Sequence, residues 1–228
     1  MNQLIEKFKV IYPEAEEISR SFCPYRVCPV GAHSDHQYGM ISGFAIDKGI
    51  EVIYTPSGSE EIEVNSLNFE GKKIFALDKV VGKSNDWADY LRGAAKLLHE
   101  EYGIAKGIKC LINGELPIGG LSSSAAVILS FMSAMCKVNN LKLPKDKIID
   151  LAERVEIDFI GVSIGKMDQS CEMYCKKDSL FVLDTKTGEY KLIPKSDKMP
   201  AFQIGVFFSG MERSLVGSKF NIDRKSVV

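Results

Sequence analysis

What this sequence has little of is the first guide to it. Its 29 Lys and Arg residues nearly balance 30 Asp and Glu, so the 228-residue chain carries a formal charge of −1. Nucleic acids are bound by surfaces with a clear basic excess, and no such excess is present. Long apolar runs are missing too: the longest, Ala125 to Cys136, is interrupted by Ser130 and Ser133 and falls short of the roughly 20 residues that cross a bilayer. The N-terminus does not have the basic-then-apolar order of a signal peptide. Leu4, Ile5, Phe8 and Ile11 instead recur at helical spacing around Glu6, Lys7 and Lys9, which predicts an amphipathic first helix in a cytoplasmic protein. Three histidines accompany six cysteines (Cys23, Cys28, Cys110, Cys136, Cys171 and Cys175), and no two cysteines are spaced C-x-x-C. Neither a zinc site nor a disulfide framework is indicated, and the cysteines read as reduced thiols, several of them packed as small apolar side chains.

What is present is enough to build a core, since 45% of the residues are hydrophobic. Segments rich in β-branched and apolar residues recur at Arg26–Val30, Ile50–Thr55, Glu61–Asn65, Ile108–Ile112, Leu180–Asp184 and Phe202–Phe208, each bounded by Gly, Pro or polar clusters, and these predict strands. Helices are predicted over Asp86–Tyr102, Ser122–Val138 and about Pro144–Phe159, the last with Pro144 near its first turn and Ile148, Ile149, Leu151, Ala152 and Val155 as its apolar stripe. Early hairpins followed by later helices point to an α+β domain. The polar, proline-flanked stretch Pro194–Pro200 marks the best boundary, giving one unit over 1–194 and the opening of a second over 195–228.

The most informative stretch runs Leu116-Pro117-Ile118-Gly119-Gly120-Leu121-Ser122-Ser123-Ser124-Ala125-Ala126, between a predicted strand and an apolar helix. Paired glycines let backbone approach an anion, and a helix start offers free N–H groups at a positive dipole end. Three serines add hydroxyls suited to phosphate oxygens or Mg²⁺. The stretch is neither a Walker A loop nor G-x-G-x-x-G; its plainer reading is a turn with serine caps, and its length and composition favour a phosphate cradle.

This loop resembles the P-x-G-x-G-L-S-S-S-A-A motif of the GHMP sugar and metabolite kinases. Arg26-Val27-Cys28-Pro29-Val30-Gly31-Ala32-His33-Ser34-Asp35-His36-Gln37-Tyr38-Gly39 is similar to the galactokinase signature, Gly165-Lys166-Met167-Asp168-Gln169 to the family's catalytic G-x-M-D-Q, and Ser209 to Asn221 to a segment of its sugar-binding region. The matches occur in family order. The resemblance implies a GHMP-kinase N-terminal domain of the ribosomal protein S5 domain 2-like type, followed by the start of a truncated ferredoxin-like C-terminal domain. It implies ATP-dependent phosphorylation of the anomeric hydroxyl of a galactose-like sugar, with ATP and Mg²⁺ required. Asp168 is then the catalytic carboxylate and Arg26 its partner, although an aspartate there also suits a plain helix cap. Gly119, Gly120, Leu121, Ser122, Ser123 and Ser124 would hold the nucleotide, and Glu156 with Ser124 the metal. By itself Glu156 reads as a solvated helix residue. Trp87 falls where the family places an aromatic near adenine, and it suits the core equally well. Ala32, His33, Asp35, Gly165, Asp168 and Phe220 take the sugar-binding positions.

Three departures from the family matter. Ala32 stands where galactokinases usually carry a glutamate on the O6 side of the sugar, and the wording Pro24 to Gln37 looks more like that of galacturonate kinases. Two like charges about 4 Å apart repel by roughly 1 kcal/mol in water and about 4 kcal/mol at a protein surface, so losing this acid favours a substrate whose C6 is a carboxylate. Phe220 replaces a common tyrosine. The family's glycine-rich third motif has no counterpart before Val228, which leads to the expectation of a fragment that binds nucleotide weakly, turns over poorly and self-associates through an exposed apolar face. The competing reading is a sugar and ATP sensor without turnover. Intact Arg26, Asp168 and serine loop favour the enzyme, and the first signature disfavours a kinase of mevalonate or homoserine.

Overall fold

The computed structural model describes residues 2–32, 34–116 and 119–207. Helix α1 (Asn2–Ile11) precedes four strands, β1 (Ser19–Val30), β2 (Met40–Pro56), β3 (Glu61–Ser66) and β4 (Lys73–Ala76). Helix α2 (Asp89–Tyr102), strand β5 (Ile108–Gly114), helices α3 (Ser123–Val138), α4 (Lys145–Arg154) and α5 (Met167–Tyr174), and strands β6 (Ser179–Asp184) and β7 (Tyr190–Pro194) complete the order. The α+β expectation holds.

All seven strands share one sheet, in the order β4-β3-β5-β2-β6-β7, with β1 antiparallel to β2. The 17-residue β2 organises it: residues 40–43 pair with β6, residues 50–56 with β5, and β1 runs alongside both parts. Alternation along these strands assigns the two faces. Val52 and Tyr54 of β2, with Cys110 and Ile112 of β5, enter the main core beneath α2 and α3. Ile53 and Leu111, one residue out of phase, face α1 and pack on Leu4, Phe8 and Tyr12.

The main helical layer is centred on α3. Ten of its sixteen residues are buried, including Ala125, Ile128, Phe131, Met132 and Met135, as suits a helix apolar all round. Its interior hydroxyl is not left unmade, because Ser130 donates to the Ala126 carbonyl at 2.7 Å. Helix α2 starts later than the apolar pattern suggests because Asp86 and Asp89 turn the chain ahead of it: Asp86 accepts from the Ala88 N–H, and Asp89 from those of Ser84 and Asn85. Arg92, one turn on, binds both carboxylates at 2.7 Å. Helix α4 also departs from its predicted course. It widens into a π-helical turn over Val155–Ile160 that stops at Gly161, φ 85°. Such turns re-aim side chains, and here Glu156 is carried inside.

The predicted strand over 202–208 does not form through residue 207; the segment 201–207 is irregular and exposed, and residue 208 lies outside the described residues. It has apolar residues of strand type but no strand partner among the described residues, and Phe202 meets Phe44 edge-on at 6.5 Å. Among the described residues, no helix is long and apolar enough to cross a membrane.

The layered core yields a stability test. Phe131 is fully buried in the main cluster, so Phe131→Ala is expected to lower unfolding stability by about 3–5 kcal/mol. Val10→Ala, at a position 83% exposed, should stay within about 0.5 kcal/mol. Urea denaturation of both variants measures the contrast.

Candidate active site

The site is assembled by one guanidinium. Arg26 lies on β1 between two breaks in the β1–β2 register, at Pro24/Arg26 and at Val27/Val30; irregularities of this kind turn side chains out of the regular pleat. Its Nε donates to Asp168 Oδ1 at 2.8 Å, and Nη2 lies 2.6 Å from the same oxygen. Nη1 donates to the Gly120 carbonyl at 3.0 Å, and the Arg26 N–H to the Leu121 carbonyl at 3.3 Å. Residues separated by 142 positions are therefore joined to the glycine–serine loop through one side chain. Burial alone would lower the Arg26 pKa, but the surrounding acids, Asp168 first and then Glu172, more than offset this and the group stays cationic.

The loop itself is held in a shape that glycine allows. Gly119 has φ 135° and Gly120 φ 72°, and a β-carbon at either would meet nothing within 4 Å among the described residues. The requirement is thus conformational, and the space over the loop is open. Ser122 is also left-handed, φ 66°, with its hydroxyl buried and without a hydrogen bond of normal geometry. Ser123 and Ser124 begin α3 with their side chains half-buried. Leu121 is buried in the main core and anchors the loop.

Glu156 and Ser124 come together, as the resemblance requires. The Ser124 hydroxyl hydrogen-bonds the Glu156 carboxylate, and the Gln169 amide donates to Glu156 Oε2 at 2.6 Å. Burial pushes the Glu156 carboxyl up to about 8, with the nearby Asp168 charge adding to the effect. A buried carboxylate beside a hydroxyl, with no cationic side chain hydrogen-bonded to it, is a donor set suited to Mg²⁺, which prefers one or two carboxylates completed by phosphate oxygens and water. Among the described residues no three His, Cys, Asp or Glu side chains converge on a metal position, and a site of this kind does not need them.

Asp35 sits on the other flank. Its side chain is buried, and Gly165 lies directly against it: a β-carbon at Gly165 would fall 2.6 Å from Asp35 Cγ. The glycine of the G-x-M-D-Q stretch is therefore what lets Asp35 and the α5 start approach. A cavity of about 730 Å³ opens on this side, lined by Asp35, His36, Glu153, Gly165 and Lys166 among others, but not by Arg26, Asp168 or the loop. Ala32 is exposed in the turn before Asp35. His33 and Phe220 lie outside the described residues.

Trp87 stacks on Phe69, with ring centroids 5.6 Å apart and planes 7° from parallel, and also packs against the main core. Its indole N–H is buried without a hydrogen-bond partner among the described residues. Two residues of the site were not identified from sequence. Gln169 fixes Glu156, and its presence in the quoted motif was the available signal. Glu172, fully buried one turn after Asp168 with its carboxyl pushed well up, first by burial and then by Asp168, had none.

The Glu156 environment makes a pH prediction. The folded protein keeps a proton on Glu156 that the unfolded chain releases above the ordinary value of 4.5. Stability from this group is full below that pH, declines up to about pH 8 and is flat beyond. Glu156→Gln removes the decline, so the variant is expected to gain on the natural protein by a few kcal/mol between pH 5 and pH 8. Urea midpoints at the two pH values measure it, and a constant gap contradicts the burial assignment.

With this geometry described, comparison with known proteins is informative. Residues 89–176 match the model of the GHMP kinases N terminal domain. The chain is 34% identical over 205 residues to a galactokinase of Pyrococcus furiosus, covering 90% of this chain and 56% of that protein. It is 31% identical over 219 residues to a galacturonokinase of Arabidopsis thaliana, covering 87% and 52%. The crystal structure of Lactococcus lactis galactokinase complexed with galactose superposes with a TM-score of 0.87 at 28% identity, over 98% of this chain and 58% of that one. The chain thus spans somewhat more than half the length of these relatives. It carries a GHMP-kinase N-terminal domain and is a homologue of galactokinases over the N-terminal part of their length.

Proposed function

We propose that the chain serves an ATP-dependent sugar-1-kinase, moving the γ-phosphoryl of ATP to the anomeric hydroxyl of galactose or, by preference, of galacturonic acid. The observation that carries this reading is the position of Arg26, bonded at once to the Asp168 carboxylate and to the Gly120 carbonyl of the loop. The acceptor side and the phosphate side of a transfer reaction are thereby held by one rigid cation.

Phosphoryl transfer asks little covalent work of a protein; it asks for in-line placement and compensation of charge. Asp168 would orient the C1 hydroxyl and take its proton, with Arg26 keeping the carboxylate ionised and balancing charge on the transferred group. The backbone of Gly119 to Ser123 at the start of α3 would cradle phosphate oxygens, with Trp87 near the base. Glu156 and Ser124 would hold Mg²⁺, which supplies charge neutralisation between the phosphates. Asp35 and Gly165, with Ala32, His33 and Phe220, would line the sugar side. The domain boundary at 194/195 and a cytoplasmic site of action belong to the same reading, as does self-association through an exposed apolar face.

The preference for galacturonic acid rests on Ala32. With a glutamate there, a C6 carboxylate would face a like charge worth about 4 kcal/mol at a protein-surface dielectric; with alanine it does not. The similarity to a galacturonokinase supports this choice, and the comparable similarity to galactokinases keeps galactose as the substrate to beat.

ADP release measured with galacturonate, galactose, N-acetylgalactosamine and mevalonate tests the proposal. Release is expected with the sugars, fastest with galacturonate, and Asp168→Asn should lower it by about 10²–10⁴-fold. Faster turnover of galactose overturns the acid preference, release with mevalonate overturns the sugar class, and binding of ATP and sugar without ADP release selects the sensor.

A further inference from the structure

Cys171 and Cys175 lie four residues apart at the end of α5, the short helix whose first turn carries Asp168. Their sulfurs are 3.3 Å apart. Cys171 is buried in a small apolar cluster with Ile41, Met167, Phe181 and Leu183, whereas Cys175 is only partly covered. Cys175 follows the last helical residue with φ −55° and ψ 146°, while its N–H still donates to the Cys171 carbonyl at 2.9 Å. Its φ is still helical, so its side chain keeps the direction of the last turn and stays beside Cys171, while ψ turns the following chain away. The hydrogen bond between the two thiols, in which either sulfur can donate, lowers the Cys175 pKa and raises that of Cys171, and the more accessible Cys175 is the one placed to act as nucleophile.

We propose that Cys171 and Cys175 form a dithiol modification site that closes to an intramolecular disulfide when the protein meets a small disulfide such as oxidised glutathione, locking the last turn of α5. The geometry asks for little. Residues four apart in a helix have α-carbons about 6 Å apart, inside the range disulfides span, and the sulfurs need approach only from contact to a bond of about 2.05 Å.

The chemistry balances. The Cys175 thiolate attacks one sulfur of the glutathione disulfide, that S–S bond breaks, and the first glutathione leaves as a thiolate that takes up the proton Cys175 gave up. Cys171 then loses its proton and attacks the Cys175 sulfur of the mixed disulfide, expelling the second glutathione, which takes that proton. Two cysteine thiols are oxidised and one glutathione disulfide is reduced to two thiols. The partly covered Cys175 is the entry point. Cys110 and Cys136, buried in the main core, have no such route.

The pair is convenient to test, because trypsin cleavage after Lys166 and Lys176 releases both cysteines in one peptide, 167–176. The folded chain is treated with oxidised glutathione, alkylated and digested. The expected peptide is lighter by two hydrogens, carries no alkyl label and regains two labels after reduction with dithiothreitol. Cys171→Ser should leave one glutathione on Cys175, because the resolving thiol is gone. Alkyl label on both cysteines of the treated natural chain, or a glutathione retained on Cys175 there, overturns the proposal. The mapping of the natural chain decides the matter even if the variant does not fold.

Discussion

The contact between Arg26 and Asp168 is the constraint on which the rest of the site depends. Three carboxylates, Asp168, Glu156 and Glu172, are gathered near one guanidinium, and only Asp168 receives its direct hydrogen bonds. The other two are buried without a cation of their own, so each is driven toward its neutral form. The interior is consequently short of positive charge next to a loop that offers backbone N–H groups and hydroxyls. That imbalance suits a polar, metal-bearing ligand, and it has a structural cost, since Ser122 Oγ, Gln169 Oε1 and Glu172 Oε1 lie buried without partners of normal geometry.

The fold serves this contact. Breaks in the pairing of β1 release Arg26 from the pleat, the π-helical turn after α4 swings Glu156 inward, and Gly165 lets α5 begin against Asp35. Each is a local departure from regular structure, and each aims one side chain of the candidate site. The regular parts, chiefly α3 and the alternating faces of β2 and β5, form the stiff support behind them.

Much of the regular structure was legible in the sequence because burial imposes its period. The helical faces of α1, α2, α3 and α4 and the apolar runs of β1, β2, β3, β5 and β6 announce themselves. The short β4 and β7 do not, since neither Lys73–Ala76 nor Tyr190–Pro194 contains a fully buried residue and both carry weak alternation. Helix α5 is eight residues of mixed polarity whose place is set by Arg26, a tertiary contact that no local pattern encodes. The apolar run at 202–207 shows the reverse error: propensity without a neighbouring strand does not make a strand. Within the candidate site, the family resemblance pointed to Arg26, Asp168, Ser124 and Glu156, but not to the Gly120 carbonyl or the supporting Gln169. Those roles arise from approach in space.

The central claim, that the Arg26–Asp168 pair directs phosphoryl transfer to the anomeric oxygen of a sugar, is tested most directly by the phosphorus NMR spectrum of the product formed from ATP and galacturonate. The account predicts a phosphorus signal coupled to the anomeric proton, a sugar 1-phosphate, absent from the Asp168→Asn reaction. Phosphate on any other hydroxyl, or the same product from Asp168→Asn at an undiminished rate, would contradict it.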